Sequence, residues 1–261
     1  MSKDIGTIVE DWSPRRDAVS ARIITGTDGQ QFLQLRVDLG VLQMHLDGRP
    51  DGQCPYASET VLGYLKQQAE REGESFLPTD EHWDDLDREI MQFYHRRIAL
   101  LTVGSEAQRK SDVEAGAACY RRAVRDADHN LAIMDFIQQY SDDPEDIEIH
   151  EKHRPFVLLH RTLAAAQERV MRKRYEAAID TVRAGEDRIR QVYDQQEKPH
   201  LTGFDPSLLQ LRLLNRRLRK QFGIKRTLRE QLEDAIKRED FELAAEIRDR
   251  LKQIPQDYSP A

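Results

Sequence analysis

Residues 227–254 read TLREQLEDAIKREDFELAAEIRDRLKQI, and their periodicity predicts two short amphipathic helices around the turn Arg238-Glu239-Asp240-Phe241. Thr227 and Glu230 have the Thr-x-x-Glu spacing of a capping box, in which hydroxyl and carboxylate each satisfy an orphan N–H at a helix start. Leu228, Leu232, Ala235 and Ile236 then recur at the i, i+4, i+7, i+8 spacing of one apolar face. Past the turn, Ala244, Ala245, Ile247 and Leu251 do the same, and Asp240 is placed to cap the second helix. Small alanines at 235, 244 and 245 let the helices approach closely. The expected unit is an αα-hairpin over 225–254.

These residues resemble the UVR motif, the helical hairpin of the excision-repair proteins UvrB and UvrC that also occurs in ClpC-type unfoldase subunits and in activators of protein arginine kinase. Leu228, Leu232, Ala235-Ile236, Glu239-Asp240-Phe241-Glu242, Ala244-Ala245, Ile247-Arg248-Asp249 and Leu251 carry the likeness, which covers about a tenth of the chain. The resemblance implies a docking module with Leu232, Ala235, Ile236, Phe241, Ala244, Ala245, Ile247, Arg248 and Leu251 as partner-binding residues. Two helices of about twelve residues are marginal alone and need a partner surface. Phe241 either projects apolar area toward that surface or closes the hairpin core.

The 261-residue chain as a whole is 33 % charged and 39 % hydrophobic, a balance that predicts helices with wide solvated faces. A net charge of −7 disfavours broad nucleic-acid affinity, because phosphate binding needs a basic surface. The start MSKDIGTIVEDW has no basic-then-apolar signal pattern, and no stretch approaches 18 apolar residues, so the expected location is cytoplasmic, without a membrane span. Cys54 and Cys119 form no Cys-x-x-Cys pair.

Residues 1–55 read as a small β element. Val19–Thr25 and Gln31–Val37 flank Gly26-Thr27-Asp28-Gly29, a turn suited to positive φ, and Val41–Leu46 offers a third strand before the doubled turn Asp47-Gly48-Arg49-Pro50-Asp51-Gly52. The acids there lack EF-hand spacing, so they read as a turn. Val37–Met44 and the turn after it also resemble the N-terminus of a group of uncharacterised bacterial proteins that end in a UVR motif.

Residues 56–198 read as a helical domain with a faint repeat. His95–Ala99 is echoed by His160–Ala164, and Tyr120–Val124 by Tyr175–Ile179, with Gly104–Ser111 as an extra loop in the first copy. Small residues at Ala164–Ala166, Tyr175, Ala178 and Val182 resemble part of a tetratricopeptide repeat; a helical bundle with accidental echoes is the other reading. Ser111–Glu114 reads as a capping box, and Asp143-Pro144 and Asp205-Pro206 as Asp N-caps followed by Pro at N1.

Residues 204–222 form a basic helix in an acidic chain. Leu208, Leu211, Leu218 and Phe222 make a seam with Asn215 inside it. Three readings stand: a connector burying its leucines, a coiled-coil contact with register set by Asn215, and a nucleic-acid contact through Arg212, Arg216, Arg217, Arg219 and Lys220. With Pro199–Gly203 and Gly223 as bracketing hinges, the hairpin is expected to move freely, and truncation after residue 222 to leave stability nearly unchanged.

No phosphate loop, nuclease domain or zinc pair occurs, and His150-Glu151-Lys152-His153 is one residue short of His-Glu-x-x-His. The expectation is therefore a mainly α, non-enzymatic adaptor without metal or cofactor, docking a protein through its UVR hairpin. The alternative is an accessory of nucleotide excision repair that binds UvrB or UvrC and touches DNA.

Overall fold

The computed structural model describes residues 5–15 and 17–253; Met1–Asp4 of the N-terminal stretch and Ile254, the last residue of the expected hairpin, lie outside the described residues. The chain divides into two compact units, Met1–Arg172 and Lys173–Ala261. The boundary falls within the stretch that reads from sequence as one helical domain, so the second echo is split between the units.

In the first unit a short turn, α1 (Gly6–Val9), precedes an antiparallel meander of β1 (Ser20–Thr25), β2 (Gln31–Val37) and β3 (Gly40–His45). Pairing Ile23 with Leu33, Leu33 with Met44 and Leu35 with Leu42 puts one apolar set on a single face, as the two-residue side-chain period requires. That face packs with Ala99, Leu100, Tyr120 and Ala123 of the helices that follow. On the other face a polar ladder crosses all three strands: Arg22 Nε donates to Gln34 Oε1 (2.9 Å), and Gln34 Nε2 to Gln43 Oε1 (3.0 Å).

The helices are α2 (Val61–Glu72), α3 (Asp80–Arg109), α4 (Val113–Tyr140), α5 (Pro144–Glu151) and α6 (Arg154–Met171). α4 packs against both α3 and α6. Asp143 caps α5 with Pro144 behind it. Two local expectations are corrected. Gly104–Ser111 is not a loop, because α3 runs on to Arg109. The Tyr120 ring lies against Gly104, where an added Cβ would come within 2.9 Å of it, and its hydroxyl donates to Gln108 Oε1 at 3.0 Å, so packing overrides the polar composition. The N-cap of α4 is Asp112, whose carboxylate accepts from Ala115 N at 3.1 Å, not Ser111. Ser111 has φ +61° and ends α3 in the left-handed conformation, which removes it from the extended region an N-cap occupies.

Charged side chains hold these pieces together from inside. Arg96 donates from Nε and Nη2 to the two Asp126 oxygens (2.8 and 2.7 Å) and from Nη1 to the His45 and Gly48 carbonyls (3.0 and 2.7 Å), linking α3, α4 and the turn after β3. Glu89, on α3, is fully buried against the start of α2. It accepts from Val61 N (2.8 Å) and Leu62 N (3.3 Å), with His129 Nε2 at 2.8 Å, so its charge faces the positive helix end. The acids of the doubled turn are likewise engaged. The Arg122 hydrogen bond, helped by Arg125, holds the Asp47 carboxyl down at about 2, and Asp51 accepts from Gln92.

The second unit contains α7 (Tyr175–Gln195), α8 (Pro206–Phe222), α9 (Leu228–Lys237) and α10 (Phe241–Gln253). α8 lays Leu208, Leu211, Leu214 and Leu218 inward, packing on α7, which buries Ala178, Ile179, Val182 and Ile189. Asp205 caps α8 by accepting from Leu208 N (2.7 Å) and also takes the Tyr193 hydroxyl (2.8 Å).

Candidate docking hairpin

α9 begins with the capping box: Thr227 Oγ1 accepts from Glu230 N (3.3 Å), and Glu230 accepts from Thr227 N (2.8 Å). It ends in a Schellman turn, with Glu239 N bonded to the Ile236 carbonyl (3.0 Å) and Asp240 N to that of Ala235 (2.9 Å). Glu239 occupies the left-handed position at φ +58°, which glycine would fill at lower cost. Asp240 then caps α10 through Leu243 N at 3.1 Å.

Ala235, Ala244 and Ile247 are buried between the two helices, with Leu228, Leu232 and Leu251 packed around them. Of the residues assigned to partner binding, Leu232, Ala235, Ala244, Ile247 and Leu251 thus form the hairpin's own interior. Ala245 is half-buried, and Arg248 is exposed beside Asp249. Phe241 and Ile236 point outward, 68 % and 53 % exposed, and neighbouring Leu243 is 43 % exposed. The apolar area available to another molecule is therefore concentrated at the turn end.

The opposite end is tied down. Thr227 is fully buried, and its hydroxyl donates to Asp180 on α7 at 2.6 Å. Leu228 N donates to Glu176 (2.8 Å), and Arg183 reaches Glu233 (2.9 Å) and Glu230 (3.5 Å). Arg219 of α8 binds Asn215 Oδ1 (2.7 Å), the Lys225 carbonyl (2.8 Å) and both Glu230 oxygens (2.6 and 3.0 Å). Burial would raise the Glu230 carboxyl, but hydrogen bonds from Arg219 and Thr227 N hold it below the ordinary range. At Asp180 burial wins and the carboxyl is raised, against the Thr227 hydroxyl and Arg229. Three carboxylates, Glu176, Asp180 and Glu230, therefore gather at the positive end of α9.

Gly223, at φ +68°, ends α8, and the segment after it is clamped by Arg219, which replaces the free hinge expected there. Pro199–Gly203 is a short 3-10 turn packed on α7. Truncation after residue 222 removes the ties made by Thr227, Leu228, Glu230 and Glu233 and strands Glu176, Asp180, Arg183 and Arg219. The expected result is a fall in Tm of the second unit by more than about 5 °C, because a loss of ~1 kcal/mol moves a domain of this size by roughly 4–8 °C. Thermal scans of the full and truncated chains check it; an unchanged Tm would mean the ties carry no net energy.

On α8, Arg216, Arg217 and Lys220 are exposed, whereas Arg219 is committed to Glu230 and Arg212 lies 4.0 Å from Glu186. The five basic residues assigned to nucleic acid are thus not one free set. Leu214, absent from the expected seam, is buried in it, while Phe222 stacks on Tyr175 with centroids 3.7 Å apart.

His150 bonds Asp87 through Nε2 (2.8 Å) and the Asp146 carbonyl through Nδ1 (2.8 Å); the Asp87 hydrogen bond leads in raising its pKa. Both ring nitrogens therefore face acceptor oxygens. Among the described residues no group of three metal-binding side chains is found, and no helix is long and apolar enough to cross a membrane.

Sequence comparison agrees with the geometry. The family model described as "UvrB/uvrC motif" matches residues 224–256, of which 254–256 lie outside the described residues. No curated protein and no solved structure matches the chain. In UvrB and UvrC the motif is known for protein and DNA interaction, and the hairpin formed here by α9 and α10 is a UvrB/uvrC motif.

Proposed function

We propose that this chain is a non-enzymatic cytoplasmic adaptor that docks a protein partner through the turn end of its UVR hairpin. The observation that carries the reading is the division of labour within the hairpin. Its interior is closed by its own residues and its N-terminal end is anchored, while Phe241, Ile236 and Leu243 remain exposed together. Interfaces of this kind rest on one or two central aromatic or aliphatic anchors, and Phe241 is the largest available.

Phe241→Ala in the full chain is expected to weaken partner capture from native cells by about 2 kcal/mol, roughly thirtyfold, with circular dichroism unchanged. Global loss of helix in that variant would place Phe241 in the fold, and undiminished capture would move the docking surface elsewhere.

A second reading, an accessory of nucleotide excision repair, is favoured by the exposed Arg216, Arg217 and Lys220. Recovery of excision-repair subunits in the same capture, with DNA binding that survives physiological salt and fails when these three become Glu, selects it over the adaptor.

A further inference from the structure

Arg96 and Arg97 are adjacent in sequence and both buried, yet only Arg96 is hydrogen-bonded to a carboxylate, that of Asp126, whose charge acts on Arg97 without a hydrogen bond. Asp126 receives Arg96 through two hydrogen bonds, and the next carboxylate on α4, Asp128, is paired with Arg161. Arg97, 1 % exposed, has His160 Nδ1 at 3.4 Å from its Nε, and its buried Nη1 has no hydrogen-bond partner. A guanidinium removed from water without an anion is strongly disfavoured, and replacing such a group by an apolar side chain commonly stabilises a fold. Groups that break this rule are expected where a site is used.

The surroundings of Arg97 have the make-up of a ligand site. Its guanidinium carbon lies 5.6 Å from the Tyr94 ring centre, Phe156 packs on His160 at 4.2 Å and faces Tyr94 at 6.4 Å, and Phe156 is 39 % exposed. The cation therefore sits one aromatic layer beneath the surface of α3 and α6. Phe156, the exposed member of this layer, can exchange rotamers within nanoseconds.

From this arrangement we infer that Arg97, with Tyr94, Phe156 and His160 as walls, binds the carboxylate of a small organic acid that has an apolar body. A monoanion suits the site better than a phosphate dianion: the unpartnered donors belong to the Nη1 group of a single guanidinium, and the walls are aromatic. Burial pushes Arg97 down to about 10 and, helped by the Arg97 charge, His160 to about 4. At neutral pH the arginine is thus charged and the histidine neutral, leaving one positive charge for one carboxylate.

Benzoate is the probe, and benzamide, of the same shape without charge, is the control, both titrated into the full chain at constant ionic strength and followed by thermal shift and calorimetry. Benzoate is expected to give a saturable rise in Tm and benzamide none. Arg97→Met should melt higher than the native chain without ligand and bind benzoate at least tenfold more weakly, and Arg97→Lys should fall between. Equal shifts with benzoate and benzamide, or a benzoate response that persists in Arg97→Met, would overturn the assignment. Should Arg97→Met fail to fold, the benzoate–benzamide comparison on the native chain still decides.

Discussion

Arg96→Ala is expected to destabilise the first unit by about 3–5 kcal/mol, the usual cost of leaving one member of a buried ion pair uncompensated. Asp126 would keep a fully buried charge without its two hydrogen bonds from Arg96, with Arg125 Nε at 3.6 Å. The His45 and Gly48 carbonyls would also lose their donor, so the turn after β3 should loosen together with the α3–α4 contact. Denaturant unfolding measures the loss. The double change Arg96→Met with Asp126→Leu should recover much of it, because no orphan charge remains. If that pair is as unstable as the single variant, the carbonyl bonds, and not the ion pair, hold the unit.

The second large effect is expected at Ile247, 2 % exposed in the hairpin interior. Ile247→Asp places a carboxylate among the apolar side chains of the hairpin interior, at a cost of several kcal/mol. A hairpin closed by six apolar side chains holds no such reserve, so α9 and α10 should melt and partner capture should vanish. The first unit should keep its own transition. Hydrogen exchange separates the outcomes: protection lost over 228–253 alone fits, whereas protection retained there would mean that the hairpin repacks around the change. Phe241→Ala and Ile247→Asp thus impair binding by different routes, one with the hairpin intact and one without it.

How far the sequence discloses this molecule depends on the range of each interaction. The Thr227–Glu230 box, the Asp240 cap and the Asp-Pro starts at 143 and 205 are complete within four residues, so their spacing reveals them. The strand pair around Gly26–Gly29 is legible for the same reason, and the third strand lies within one residue of its expected place. Ser111 misleads because a neighbouring Asp offers the same capping chemistry and only the backbone angle at Ser111 decides between them. Nothing local marks Glu89, Arg96 or Asp126 as buried: charged residues ordinarily face water, and their partners lie 27 to 51 residues away. The ties from α9 to α7 are equally hidden, since Glu176 and Asp180 look like solvated helix acids, and their absence from the pattern made Gly223 read as a free hinge. Within the hairpin, apolar periodicity marks a face without saying which members meet each other and which meet solvent; the structure sends Ile247 inward and Ile236 outward.

The anchoring of α9 has a consequence for the order in which the chain organises itself. Contacts inside the hairpin join residues about a dozen positions apart, and helix pairs of that kind assemble on a microsecond scale. The bond from Thr227 to Asp180 closes a loop of 47 residues, whose ends meet only against a larger entropic penalty. α7 and α8 must therefore be paired before Glu176 and Asp180 stand where the hairpin can find them. During synthesis the hairpin emerges after α7 and α8, onto a platform already built.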